Sequence, residues 1–146
     1  MLCNYNIRSF NKNFDNFEGF LHSVSNEFNL IVLTETRFGA GQGRDIVGYS
    51  GYHTGRVGGG GGGVSVFSDH LLHTSHLSRL SFVNENIEAC VVSVSTNTRK
   101  IVIVALYRPP NGRVDLFCGS LLTIMCDESV RQSEICLLYT SDAADE

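Results

Sequence analysis

Asn29-Leu30-Ile31-Val32-Leu33-Thr34-Glu35-Thr36-Arg37 is an apolar run that ends abruptly in an acid. Consecutive aliphatic residues with β-branched members read as a strand buried on both faces, and Glu35 stands where that strand leaves the core. Desolvating a carboxylate there is costly unless a partner meets it. The carboxyl end of a buried strand is also where α/β folds place their ligands, so a metal or phosphate site is expected at Glu35.

Upstream, Leu2 to Arg8 alternates. Cys3, Tyr5 and Ile7 fall on one side and Asn4, Asn6 and Arg8 on the other, which suits a strand with one face in the core. Phe14, Phe17, Phe20, Leu21, Val24 and Phe28 form one helical stripe, with Asn11 or Asn13 available as a cap. Strand, helix and strand in that order predict a parallel pair joined by a crossover, which places Asn6 and Glu35 at the same rim.

Downstream, a polar, glycine-rich connection from Gly39 to Gly51 leads to Arg56 and six glycines, Gly58 to Gly63. The run satisfies G-x-G-x-x-G by default, but a strand, Val64 to Phe67, follows where a dinucleotide site needs a helix. It reads as a flexible hairpin or bulged turn, with Arg56 the nearby residue able to hold a phosphate. Ile87 to Ser95 and Lys100 to Tyr107, joined by Thr96-Asn97-Thr98-Arg99, predict an antiparallel hairpin. Its second strand also surfaces in polar chemistry, Tyr107-Arg108-Pro109-Pro110-Asn111, and the prolines stiffen that exit. Val114 to Met125 follows as an amphipathic helix with Asp115 in its first turn.

The 146 residues, 42% hydrophobic and 18% charged, suit one domain with a real core rather than a disordered or membrane chain. No apolar run reaches the roughly 18 residues that span a bilayer, and Met1 to Asn6 lacks the pattern of a secretory signal, so an intracellular site is expected. A net charge of −4 gives no global basic field, and a nucleic-acid partner would need a local patch or a metal. Cys3, Cys90, Cys118, Cys126 and Cys136 form no Cys-x-x-Cys pair and read as buried thiols. His70, His73 and His76 recur at a spacing that suits neither one strand face nor a helical zinc pair.

Asn6-Ile7-Arg8-Ser9, Leu33-Thr34-Glu35-Thr36, Arg56 before a glycine-rich strand start, and Tyr107-Arg108-Pro109-Pro110-Asn111 occur in that order. Together they resemble the amino-terminal part of an endonuclease/exonuclease/phosphatase domain, and within that superfamily the apurinic-endonuclease-like endonuclease of non-LTR retrotransposons. The resemblance covers Leu2 to Ile135. Arg37, where the subgroup usually has an aromatic residue, and the long glycine run depart from it.

The resemblance implies an α/β (α+β) fold, the amino-terminal part of a two-sheet sandwich of the DNase I-like type, incomplete. It also implies a metal-dependent endonuclease that nicks DNA by phosphodiester hydrolysis for retrotransposition. On that pattern Glu35 would hold Mg2+ or Mn2+, Asn6 would hydrogen-bond at the metal and phosphate, and Tyr107 would stabilise the charge developing on the phosphate. Arg108, Arg56 and Asn111 would bind phosphate or nucleic acid. DNA as partner, nuclear action and a reverse transcriptase in the same full-length polypeptide are further implications. The family's later Gly-Asp-x-Asn and Ser-Asp-His segments do not occur here, so the chain by itself is expected to be inactive. Alternatives are another phosphodiesterase of the superfamily, such as a repair nuclease or a phosphoinositide or nucleotide phosphatase, and a noncatalytic α+β interaction domain. Finally, Cys136 to Glu146 resembles a translated sequencing adaptor. Residues 1–135 are therefore expected to form the partial domain and 136–146 to lie outside it.

Overall fold

The apolar run at the centre of the sequence becomes β2 (Leu30–Thr34), buried over nearly its whole length. The computed structural model describes residues 1–24, 28–58 and 61–141. β1 (Leu2–Asn6) lies parallel to β2 with Asn6 opposite Thr34, so the two strands end together. β4 (Val64–Asp69) runs antiparallel on the other side with Val64 opposite Thr34, and β3 (Tyr49–Thr54) closes the sheet in the order β1-β2-β4-β3.

The second sheet is built from β5 (His73–His76), β7 (Glu88–Ser95), β8 (Lys100–Arg108) and β9 (Glu134–Ser141) in the order β5-β7-β8-β9, with β6 (Phe82–Val83) also on β7. The helices are α1 (Phe10–Ser23), α2 (Val114–Met125) and α3 (Glu128–Arg131). Strand alternation sorts the apolar residues into three layers of core. Ile31, Leu33 and Phe67 pack with Ile7, Phe10 and Phe17 beneath α1. Val32, Val64 and Val66 face Cys90, Val92, Ile103 and Tyr107 between the sheets. Val91, Val104 and Leu106 meet Phe117, Ile124 and Val130 under α2 and α3. Helix, sheet, sheet, helix is thus a mixed α/β sandwich, and covering both faces is what the unbroken apolar strands require.

Several expectations change in detail. α1 begins at Phe10, because Ile7 and Phe10 are drawn fully into the core, so Asn11 and Asn13 are helical rather than capping. Asn13 instead turns back to donate to the carbonyls of Ile7 and Arg8, at 2.8 and 3.1 Å. The helix ends at Ser23, and Phe28 enters the same core from outside it. The connection before the glycine run contains β3, and the run joins β3 to β4 as a hairpin loop, of which residues 59 and 60 lie outside the described residues.

Cys136–Ser141 form most of β9, parallel to β8 from Ile103 opposite Cys136 to Arg108 opposite Ser141. β8 is apolar on both faces, and the tail alternates in a way that lets Cys136 and Leu138 join the core between the sheets. Residues 142–146 lie outside the described residues.

Candidate active site

Because β1 and β2 end in register, Asn6 and Glu35 meet. Asn6 Nδ2 donates to Glu35 Oε1 at 2.5 Å, while Asn6 Oδ1 accepts from the Arg8 amide at 3.0 Å. Two bonds of opposite sense fix which way the Asn6 amide faces. Glu35 is only 8% exposed, so a hydrogen bond from a neutral amide takes the place of much of its lost hydration.

The backbone around this pair is strained. Arg8, Ser9, Glu35 and Arg37 adopt φ of 49, 96, 54 and 58°, the left-handed region that side chains other than glycine rarely enter. Each such residue costs on the order of 1–3 kcal/mol and persists only where its surroundings impose it. Here a ladder of amides does so: Ile7 N donates to Thr34 O at 3.0 Å, Ser9 N to Glu35 O at 2.7 Å and Phe10 N to Thr36 O at 3.0 Å. On the other side Thr36 N donates to Gly63 O at 3.2 Å and Arg37 N to Gly62 O at 2.8 Å.

The end of the glycine run is therefore part of the site's frame. Gly62 and Gly63 are themselves left-handed, at φ 79 and 92°. A side chain on Gly62 would collide with the carboxylate of Glu88, and one on Gly63 with the hydroxyl of Thr36. Glu88 is fully buried, accepts from Gly63 N, and pairs with Arg56 Nε at 2.6 Å. It is the residue that inspection of the sequence missed. Its signal was the same as that of Glu35, an acid at the edge of an apolar strand, but it was hidden inside a run assigned to a hairpin.

Tyr107 stands opposite Glu88 in the β7–β8 pairing and is buried between the sheets with Val32 and Val64, the neighbours of Thr34 in the register. Glu88 accepts from Gly63 N, and Gly63 O accepts from Thr36 N, so hydrogen bonds link the strand opposite Tyr107 to the segment that follows Glu35. Arg56 reaches this link too, but its Nε is committed to Glu88. Arg108 is not brought to Glu35: next to Tyr107 on the strand, it projects to the other face, where Nε donates to Tyr139 Oη at 3.2 Å and Nη1 to Gly112 O at 3.0 Å. Asn111 is exposed in the turn closed by Gly112 N on Pro109 O. Arg8 and Arg37, by contrast, are exposed and flank Asn6 and Glu35 directly.

Glu35 supplies a carboxylate and Asn6 an amide carbonyl here, while the hydroxyls of Thr34 and Thr36 in the same segment are buried without a hydrogen-bond partner among the described residues. Hard oxygens of this kind suit Mg2+ or Mn2+, which take one or two carboxylates and otherwise keep their waters.

No family model and no curated protein sequence matches the chain. Solved structures do. The endonuclease domain of TRAS1, a telomere-specific non-LTR retrotransposon, superposes with a TM-score of 0.65 at 16% identity, over 97% of this chain and 57% of that one. A 3′-5′ exonuclease from Neisseria meningitidis gives 0.61 at 16% identity, over 94% and 56%. An AP endonuclease from Archaeoglobus fulgidus gives 0.56 at 13%, over 85% and 50%. The chain thus has the DNase I-like α/β fold of these proteins and spans a little over half the length of the first of them.

Proposed function

We propose that this chain carries the Asn6–Glu35–Tyr107 part of the active centre of a metal-dependent nuclease that hydrolyses phosphodiester bonds in DNA; the fold it shares with a protein named as a retrotransposon endonuclease domain supports the reading. The observation that carries the reading is the buried Glu35 carboxylate, oriented by Asn6 at 2.5 Å on a locally strained backbone at the ends of two parallel strands. Strain of this kind gathers where function holds a side chain in place.

In this reading Glu35 would hold Mg2+ or Mn2+, ions that keep several of their waters. The ion, when bound, neutralises charge on the phosphoryl oxygens. Asn6 keeps the carboxylate from rotating and Tyr107 donates a hydrogen bond to a phosphate oxygen. Arg8 and Arg37 meet the DNA backbone beside Glu35, while Arg108 and Asn111 meet it only further along the strand. No residue of the chain is assigned as the base for the attacking water, so the chain alone binds metal and DNA without turnover.

The test has two readouts. Titration with Mn2+, followed by the electron paramagnetic signal of the free ion, is expected to reveal a site that Glu35→Gln removes. Supercoiled plasmid with Mg2+ is expected to stay intact. Mn2+ binding that is unchanged in Glu35→Gln overturns the site. Nicking abolished by EDTA and by Glu35→Ala overturns the claim of inactivity and leaves the nuclease reading standing.

A further inference from the structure

Along the free edge of β1 lies a cleft of about 340 Å3, walled by Tyr5, Phe17 and Phe20, with Asn6, Arg8 and Asn16 supplying its polar part. That volume is near the lower end of ligand sites and suits one planar ring system with its sugar. Tyr5 and Phe20 are 50% and 44% exposed, unusual for large aromatics, and they flank a buried Phe17 at ring distances of 5.6 and 6.1 Å. The rings form a short ladder that continues from Phe20 onto Phe28 at 6.3 Å, so the outer face left for stacking is that of Tyr5.

Two further observations say what would stack there. The cleft is continuous with the candidate active site, since Asn6 lines it and also holds Glu35. Its lining contains no acid, and Arg8 is held at its position by the amide of Asn6 and by Asn13 on its carbonyl. Lys12 stands one helical turn before Asn16 of the cleft on α1. A cleft of similar size at the opposite end of β2, by contrast, is lined by Glu18 and Asp69, which would repel a polyanion.

We propose that the Tyr5–Phe20 cleft takes one unstacked nucleobase from the strand whose phosphate reaches Glu35, so that the site favours single-stranded or frayed DNA over intact duplex. A base inside a duplex has both faces covered by its neighbours and cannot enter. The proposal rests on the nuclease reading for the phosphate, and on the aromatic ladder alone for the base.

The experiment is fluorescence anisotropy of the full chain with a labelled single-stranded oligothymidylate, against an oligomer of the same length made of abasic units, in Mg2+ at low salt. The phosphates are the same, so any gap reports the bases. The base-bearing strand is expected to bind roughly 5- to 100-fold tighter, the usual worth of base–aromatic stacking. Tyr5→Leu with Phe20→Leu, which keeps apolar bulk but removes the π faces, should close that gap, and far-UV circular dichroism checks that the fold is kept. Glu35→Gln should lower the Mg2+-dependent part of binding and leave the gap. Equal affinity for the two oligomers, or a gap that survives in the folded double variant, overturns the proposal. Failure of Glu35→Gln to change Mg2+ dependence overturns only the metal reading. Free thymidine monophosphate competing as strongly as the oligomer would assign the cleft to free nucleotides, overturning the strand assignment.

Discussion

Replacing Glu88 by glutamine is predicted to destabilise the fold by about 2–4 kcal/mol and to loosen Glu35 at the same time. Glu88 has no solvent exposure and accepts two bonds, from Arg56 Nε at 2.6 Å and from Gly63 N. Hydrogen bonds to a charged group contribute about 1.5–3 kcal/mol each. Glutamine keeps one acceptor oxygen but turns an NH2 toward the other donor, so one bond is lost and two donors face each other. Arg56 is 35% exposed in its side chain and can regain water, which keeps the cost below the extreme for a broken buried pair. At this chain length the loss corresponds to a fall of about 5–15 °C in Tm. Urea unfolding followed by far-UV circular dichroism measures it, with Glu134→Gln as control, since the Arg99–Glu134 pair is 3.5 Å apart and exposed. If the Glu88 and Glu134 variants unfold at the same midpoint, the buried latch contributes nothing. Mn2+ affinity should fall in the Glu88 variant as well, because Gly62 and Gly63 hold the amides that follow Glu35.

Burial pushes the Cys90 thiol up to about 12, from an ordinary value near 9. The unfolded thiol loses its proton first, so the contribution of Cys90 to stability is full below about pH 9 and declines as pH rises toward 12; the difference in unfolding free energy between the native chain and Cys90→Ala should shrink over that window, and a constant difference refutes this. Deleting residues 136–146 removes the pairing of Cys136–Ser141 with β8 and bares an apolar strand edge. The shortened chain is predicted to self-associate in sedimentation velocity and to lose hydrogen-exchange protection at the β8 amides, and a monomer with unchanged protection counts against the place of β9 in the fold.

The parts of the fold that are legible in the residues are those where local pattern and burial agree. β2 is an uninterrupted apolar run, β7 and β8 are long β-branched runs around a short turn, and α2 spans Val114–Met125 as its spacing predicts. β3 was not legible, because Tyr49-Ser50-Gly51-Tyr52-His53-Thr54 is half-buried throughout and carries no alternation; its strand conformation comes from pairing with β4. β9 was not legible either, because nothing local in Cys136 to Ser141 says that it pairs with the open edge of β8. Within the site, Asn6 and Glu35 could be brought together by reasoning because a parallel pair ends in register. The Arg56–Glu88 pair could not, since it joins a loop residue that follows β3 of the first sheet to β7 of the second, beside glycines that hold no side-chain information.

The glycine run also decides how an anion is met at this rim. In a phosphate-binding loop the amides are left pointing at the ligand. Here the amide of Gly63 is spent on Glu88, and the carbonyls of Gly62 and Gly63 are spent on Arg37 and Thr36. Gly62 and Gly63 thus stabilise strained backbone, and glycine is needed at both because a Cβ at either position would strike the groups it holds. With the Gly63 amide turned inward onto Glu88, that amide is not offered to an anion beside Asn6 and Glu35. Glu35 is thus a buried acid whose left-handed backbone is held by the carbonyls of Gly62 and Gly63 on one side and the amides of Ser9 and Phe10 on the other.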